Sequence, residues 1–255
     1  MSGPPCWSAP PPTVVAAEAE VHVWRASLDL PPPRVRALLA SLAHDERDRA
    51  ERFHFQVHRD RFIAGRGLLR AILARYLGRT PDQLRFSYSP HGKPAVAPNT
   101  GAGDLRFNVS HSDGLALYAI TRGREIGVDV ECLRPDFVSE EIARRFFSPR
   151  EVAAVQALPA VERHEAFFAC WTRKEAYIKA RGEGLSMPLE RFDVSLAPGE
   201  PAALLSTLDE PAAAARWSLW ALDPGPGYAA ALAAEGHGWR LRCWQWPEGE
   251  GGAVP

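Results

Sequence analysis

The chain has 255 residues, enough for one large domain or two small ones with an adequate core. Thirty basic side chains balance 31 acidic ones to a net charge of −1, which argues against a general polyanion-binding surface and so against a nucleic-acid partner. The longest apolar runs fall far short of the roughly 18 residues a membrane span needs. The start, MSGPPCWSAPPP, lacks the basic beginning and apolar core of a signal peptide. Cys6, Cys132, Cys170 and Cys243 show no CxxC spacing, so a cytoplasmic protein with reduced thiols, no zinc site and no disulfide scaffold is expected.

Residues 1–12 are Pro-rich and expected to be disordered, as is the tail at 247–255. A short strand is predicted around Val21–Trp24, followed by a helical stretch from Pro33 to Phe53. A second helix is predicted from Val57 to Leu77, ended by Gly78, with Phe62, Leu69, Leu73 and Leu77 on one face. LRFSYS, a turn HGKP, a Pro/Gly/Asn-rich loop at 97–103 and a strand LRFNVS follow. GLALYAIT and EIGVDVE are then read as two strands of a hairpin joined by RGR.

Ser148-Pro149-Arg150-Glu151 has the form of a capping box with proline at the first helical position. A long helix is predicted from about Glu162 to Ala180, stopping at RGEG. WSLWAL, YAAALAA and WRLRCWQW look like strands. Glu46, Phe62, Ala64 and Ala71 recur 105 residues later as Glu151, Phe167, Ala169 and Ala176, and RF occurs at 85–86 and again at 191–192, which hints at duplication. The expected fold is α+β: two similar lobes, residues 13–122 and 123–246, each a long helix packed on a small, mostly antiparallel sheet.

In GVDVE at 127–131, strand alternation turns Val128 and Val130 to the core and Asp129 and Glu131 to the other face. Two carboxylates about 7 Å apart along a strand can hold a hard cation between them, or can form the solvated face of an edge strand. In WTRKEAYIKA at 171–180, Trp171, Glu175 and Lys179 follow at steps of four and line one side of a helix. Glu175 and Lys179 could be a plain surface ion pair, but they continue the apolar side of Phe167, Phe168 and Trp171, where a charge needs a partner.

FNVSHSDG places Ser110 and His111 where a strand ends. They suit phosphate oxygens or a simple polar turn, whereas a Ser–His relay is poor because adjacent strand residues face opposite ways. HGKP presents Lys93 from a glycine turn without P-loop spacing. Arg47, Arg49, Arg52, Arg59, Arg61, Arg66 and Arg70 are partly balanced by acidic neighbours, and a few could form a fork for a phosphate.

Taken in order, RDRFIAGRGLLRAIL, HGKP, FNVSHS, GVDVE, RFFSPREV and FFACWTRKEAYIKARGEGL resemble the Sfp-type 4′-phosphopantetheinyl transferases over roughly residues 20–235. The resemblance implies a pseudodimer with coenzyme A as co-substrate in the cleft between lobes. It implies Mg²⁺, or Mn²⁺ in its place, held by Asp129, Glu131 and Glu175. Lys179, Lys93, Ser110 and His111 would contact phosphates, and Arg47, Arg49 and Arg66 are the candidates for the adenosine 3′-phosphate.

The implied reaction moves 4′-phosphopantetheine onto a serine of an apo acyl or peptidyl carrier protein and releases adenosine 3′,5′-bisphosphate. Glu175 is the expected general base, Lys179 the second catalytic group, and the chain a monomer. Two readings compete on the same residues: metal-dependent phosphodiester hydrolysis, and a pseudodimer that binds carrier proteins without reacting.

Overall fold

A computed structural model describes residues 7–134, 140–184 and 187–247. Two successions of elements follow one plan. In the first lobe, β1 (Glu20–Ser27) leads into α1 (Pro32–Ser41), α2 (His44–Glu51) and α3 (Gln56–Leu77). The short hairpin β2 (Phe86–Tyr88) and β3 (Pro94–Val96) comes next, then β4 (Leu105–Ser112) and β5 (Leu115–Arg122).

The second lobe repeats the order. It runs β6 (Ile126–Cys132), α4 (Glu140–Phe146), α5 (Pro149–Ala157), α6 (Ala160–Arg181), hairpin β7 (Phe192–Val194) and β8 (Leu204–Thr207), then β9 (Trp217–Leu222) and β10 (Tyr228–Glu235). A last strand, β11 (Arg240–Gln245), closes the described chain. The sheet orders match as well: β1-β5-β4 in one lobe and β6-β10-β9 in the other, all antiparallel.

The duplication suspected from the sequence is therefore present, with one adjustment to its register. Both long helices have 22 residues and end on a left-handed glycine, Gly78 (φ 60°) and Gly182 (φ 71°), which lie 104 positions apart. The Phe62/Phe167, Ala64/Ala169 and Ala71/Ala176 matches, spaced 105 apart, are thus one residue out of step. Glu46 and Glu151 do correspond: each sits at the third position of a capping helix and accepts the N–H of the residue before it, Ala43 or Ser148.

Their partners confirm the 104-residue register. Arg70 donates to Glu46 (2.7 Å) and to the carbonyls of Pro81 and Leu84, while Lys174 lies 2.7 Å from Glu151 and donates to the carbonyls of Leu189 and Phe192. Each lobe thus buries one acid and one base between its capping helix and the short 3₁₀ turn after its long helix.

Three of the apolar cores among the described residues stack in layers. One joins α3 to the first sheet through Leu68, Leu69, Ile72, Trp24 and Tyr118. Another joins α6 to the second sheet through Phe167, Phe168, Tyr177 and Phe192. A third lies between the backs of the two sheets, where Val21, Val23, Leu117, Val128, Val130 and Leu232 meet. That arrangement buries both faces of each sheet and joins the lobes into one unit.

Three expectations change. The stretch Pro33–Phe53 is two helices, α1 and α2, broken at Leu42–Ala43, where both residues are extended. GLALYAIT and EIGVDVE do not pair with each other. The hairpin is β4–β5, closed by Asp113-Gly114, with Asp113 at φ 48°, and RGR instead carries the chain across to the second sheet. Asp-Gly between strands is a strong tight-turn signal, stronger than RGR.

The N-terminal segment also differs: Ser8 bridges Trp244, and the carbonyls of Pro11 and Pro12 accept from Arg75, so residues 7–12 are tied down. Residues 1–6 and 248–255 lie outside the described residues. Among those described, no helix is long and apolar enough to cross a membrane.

Candidate active site

The site lies along the seam where β4 of the first lobe runs beside β6 of the second. These two strands belong to different sheets. Side chains bridge them: Asn108 Oδ1 accepts the N–H of Val128 (2.9 Å), Ser110 Oγ that of Val130 (3.3 Å) and Ser112 Oγ that of Cys132 (3.0 Å). Alternation along β4 places these three on one edge, and alternation along β6 turns Asp129 and Glu131 toward α6 while Val128 and Val130 enter the central core.

Helix α6 can reach this strand because Gly127 carries no side chain. A Cβ there would collide with the Ala176 carbonyl and the Ala180 amide. The helix then delivers Glu175 and Lys179 to the same place. Lys179 Nζ lies 2.6 Å from Asp129 Oδ1 and 2.9 Å from Ser110 Oγ, and Ser110 donates to Asp129 Oδ1 at 2.9 Å. Ser112 donates to Glu131 Oε2 at 2.9 Å.

Electrostatics bind the group together. Burial, then the negative charge of Asp129, and Glu131 beyond it, push the Glu175 carboxyl up to about 7 against the pull of Lys179. Glu131 is also raised, by burial and then by Asp129. His111 points off the opposite face of β4 with its ring partly open to solvent. The surrounding protein, and then the cations Lys179 and Arg49, hold it below the ordinary histidine value. Glu131 and Glu175, each raised by a neighbouring carboxylate, are poised to gain from a cation.

Three carboxylates sharing one point were expected. Among the described residues, however, no group of three His, Cys, Asp or Glu side chains is set to hold a metal ion. Instead the Lys179 ammonium sits against Asp129 Oδ1. The donor set nevertheless suits a hard divalent ion. Asp129 Oδ2 is buried without a hydrogen-bond partner, and the surrounding donors are all oxygens.

The structure thus gathers Ser110, Asp129, Glu131, Glu175 and Lys179, with His111 and Arg49 at the margin. It does not bring the remaining candidates to the same point. Arg47 caps α1 through the carbonyls of Leu42 and Ala40, and Arg66 is engaged by Glu46 and Tyr88. Lys93 donates to the Ala180 carbonyl (2.9 Å) and to Glu125 (3.0 Å), fastening the β2–β3 hairpin to the end of α6. A cleft of about 440 Å³ opens beside it, lined by Tyr88, Lys93, Arg106, Glu125 and Arg181. Ser112 and Asn108 were not singled out from the sequence, although their two-residue spacing with Ser110, opposite Asp129 and Glu131, is a readable signal.

Comparison with known proteins agrees with this arrangement. A family model described as the 4′-phosphopantetheinyl transferase superfamily matches residues 125–233, and one described as 4′-phosphopantetheinyl transferase, N-terminal, matches residues 30–122. The chain is 43% identical over 240 residues to 4′-phosphopantetheinyl transferase HetI of Nostoc sp., covering 94% of this chain and 98% of that protein. Over 158 residues it is 34% identical to 4′-phosphopantetheinyl transferase Sfp of Bacillus subtilis, covering 62% of this chain and 68% of that protein. Matched on both lobes and along nearly its whole length, the chain belongs to the Sfp-type 4′-phosphopantetheinyl transferase family of enzymes.

Proposed function

We propose that this enzyme transfers the 4′-phosphopantetheine group of coenzyme A to a serine hydroxyl of an apo acyl or peptidyl carrier protein in a Mg²⁺-dependent reaction, acting as a cytoplasmic monomer. The observation that carries this reading is the meeting of Asp129, Glu131 and Glu175 with Lys179 at the lobe seam, with Glu175 pushed up to about 7.

Asp129, Glu131 and Glu175 are the residues that would hold Mg²⁺ (or Mn²⁺) against the diphosphate. When bound, the ion supplies charge neutralisation for the phosphoryl oxygens and the leaving group. The carrier serine oxygen forms a bond to the phosphorus bearing pantetheine. The bond from that phosphorus to the bridging oxygen breaks, and adenosine 3′,5′-bisphosphate leaves with that oxygen. Glu175 is the group that would accept the serine proton. Lys179, already donating to a carboxylate and a hydroxyl, donates to phosphoryl oxygens as their charge grows. Ser110 would contact a phosphate beside Lys179 and His111 one from the other side of β4, where the charge of Arg49 also acts, and Arg49 is the favoured arginine for the 3′-phosphate. Lys93 closes the cleft wall.

Intact-protein mass spectrometry of an apo carrier protein incubated with coenzyme A and Mg²⁺ tests this. A gain of one phosphopantetheine group, lost in Asp129→Ala and Glu175→Ala, is expected. No gain across fatty-acid, polyketide and peptide carriers would overturn the proposal, and breakdown of coenzyme A without any carrier would point to hydrolysis instead.

A further inference from the structure

Each serine of the β4–β6 seam does two things at once. By accepting a backbone N–H from β6, its oxygen is fixed in place, and its own hydrogen is left for the neighbouring acid. Ser110 gives that hydrogen to Asp129 (2.9 Å) and Ser112 gives it to Glu131 Oε2 (2.9 Å). The two acids differ in what else holds them: Lys179 grips Asp129 at 2.6 Å, whereas Trp171 and the more distant charge of Lys179 act on Glu131. Glu131 stands on a longer, partly buried side chain whose torsions must be fixed before its carboxylate can serve a ligand.

We propose that Ser112 is a positioning residue for the catalytic centre, its hydroxyl pinning one oxygen of Glu131 so that the other is presented beside Asp129 and Glu175 to the divalent cation. This rests on the reading of Glu131 as a cation ligand. A hydroxyl suits the task because it is neutral and adds no charge that would compete with the ion. It is anchored by the Cys132 N–H, so it orients Glu131 before any ligand arrives rather than after. The ladder's repetition one pleat earlier, at Ser110 and Asp129, gives both acids the same support from the opposite lobe.

Mn²⁺ titration of the carrier-free protein, followed by the electron paramagnetic resonance signal of free Mn²⁺, tests this alongside thermal melting. Ser112→Ala is expected to weaken Mn²⁺ binding about 3- to 10-fold, the penalty of ordering one released side chain. The melting temperature should stay close to that of the parent. Ser112→Thr, which keeps the hydroxyl, restores binding, and Ser112→Cys, of similar size but a weak donor, behaves like the alanine variant. Transfer activity should fall at limiting Mg²⁺ and recover as Mg²⁺ is raised. Parental Mn²⁺ affinity in Ser112→Ala overturns the proposal, as does a loss that tracks a fall in melting temperature and is unrelieved by threonine. If the parent protein itself binds no Mn²⁺, the cation reading of Glu131 fails first and carries Ser112 with it.

Discussion

Lys179 Nζ stands 2.6 Å from Asp129 Oδ1, the lysine side chain 29% exposed and the aspartate 2%. An ammonium on a flexible stem therefore guards a buried carboxylate oxygen that a divalent ion would also seek. The two roles of Lys179, standing in for the cation and donating to phosphate, make opposite predictions for binding and turnover. Lys179→Ala should leave Mn²⁺ binding to the carrier-free protein equal or tighter, while turnover falls about 10²- to 10³-fold, the usual loss for one aimed donor. Mn²⁺ titration and steady-state kinetics on the same preparation check both halves.

Glu175 makes metal-free stability depend on pH. Below its ordinary value of 4.5 it is protonated whether the chain is folded or not, and costs nothing. Between 4.5 and about 7 the folded form keeps a proton the unfolded chain has shed, so stability falls as pH rises, and the full cost is present above about 7. Glu175→Gln should therefore match the parent at pH 4 and exceed it by roughly 2–3 kcal/mol at pH 8 in chelator. Urea unfolding from pH 4 to pH 8 measures the difference curve. Excess Mg²⁺ should narrow it.

The buried pair Lys174–Glu151, with side chains 0% and 2% exposed, predicts a large structural effect away from the chemistry. Lys174→Met strands a buried carboxylate and should cost about 3–5 kcal/mol. Adding Glu151→Gln removes the stranded charge and should return part of the loss. Arg70→Met should cost less in the first lobe, because Arg66 still pairs with Glu46. Denaturant midpoints of the single and double variants test the relation.

Gly127→Ala should harm fold and activity together. The new methyl meets backbone atoms of Ala176 and Ala180, which cannot swing aside, so α6 must move off β6. A cost of at least about 2 kcal/mol is expected. Because Glu175 and Lys179 ride on that helix, transfer should fall at least tenfold even in the folded fraction. Circular dichroism melts with activity per folded molecule separate the two.

Features that depend on neighbours in sequence were readable. Alternation in GVDVE placed Asp129 and Glu131 on a common face, the step of four placed Glu175 beside Lys179, and glycines marked the ends of α3 and α6. What escaped depends on distant pairing. β5 and β6 are adjacent in sequence yet pair with β1, β4 and β10, and no periodicity in either strand encodes that choice. Lys93 and Arg66 carry the charge a phosphate site needs, but the nearby Ala180 carbonyl, Glu125 and Glu46 engage them first, which only the folded chain reveals. The spacing of Asn108, Ser110 and Ser112 is readable in β4, but that Ser112 meets Glu131 and the Cys132 N–H follows only from the neighbouring strand.

The parallel pairing of β11 with β1 has a bearing on how the molecule comes into being. Glu20 faces Arg240 and Arg25 faces Gln245, just as β4 of the first lobe lies along β6. During synthesis the first lobe emerges before β11, so the outer edge of β1 stays bare until that strand has been made. An exposed strand edge invites partners from other chains. The first lobe is thus a candidate client for chaperones, with β11 serving as the latch that ends that vulnerability.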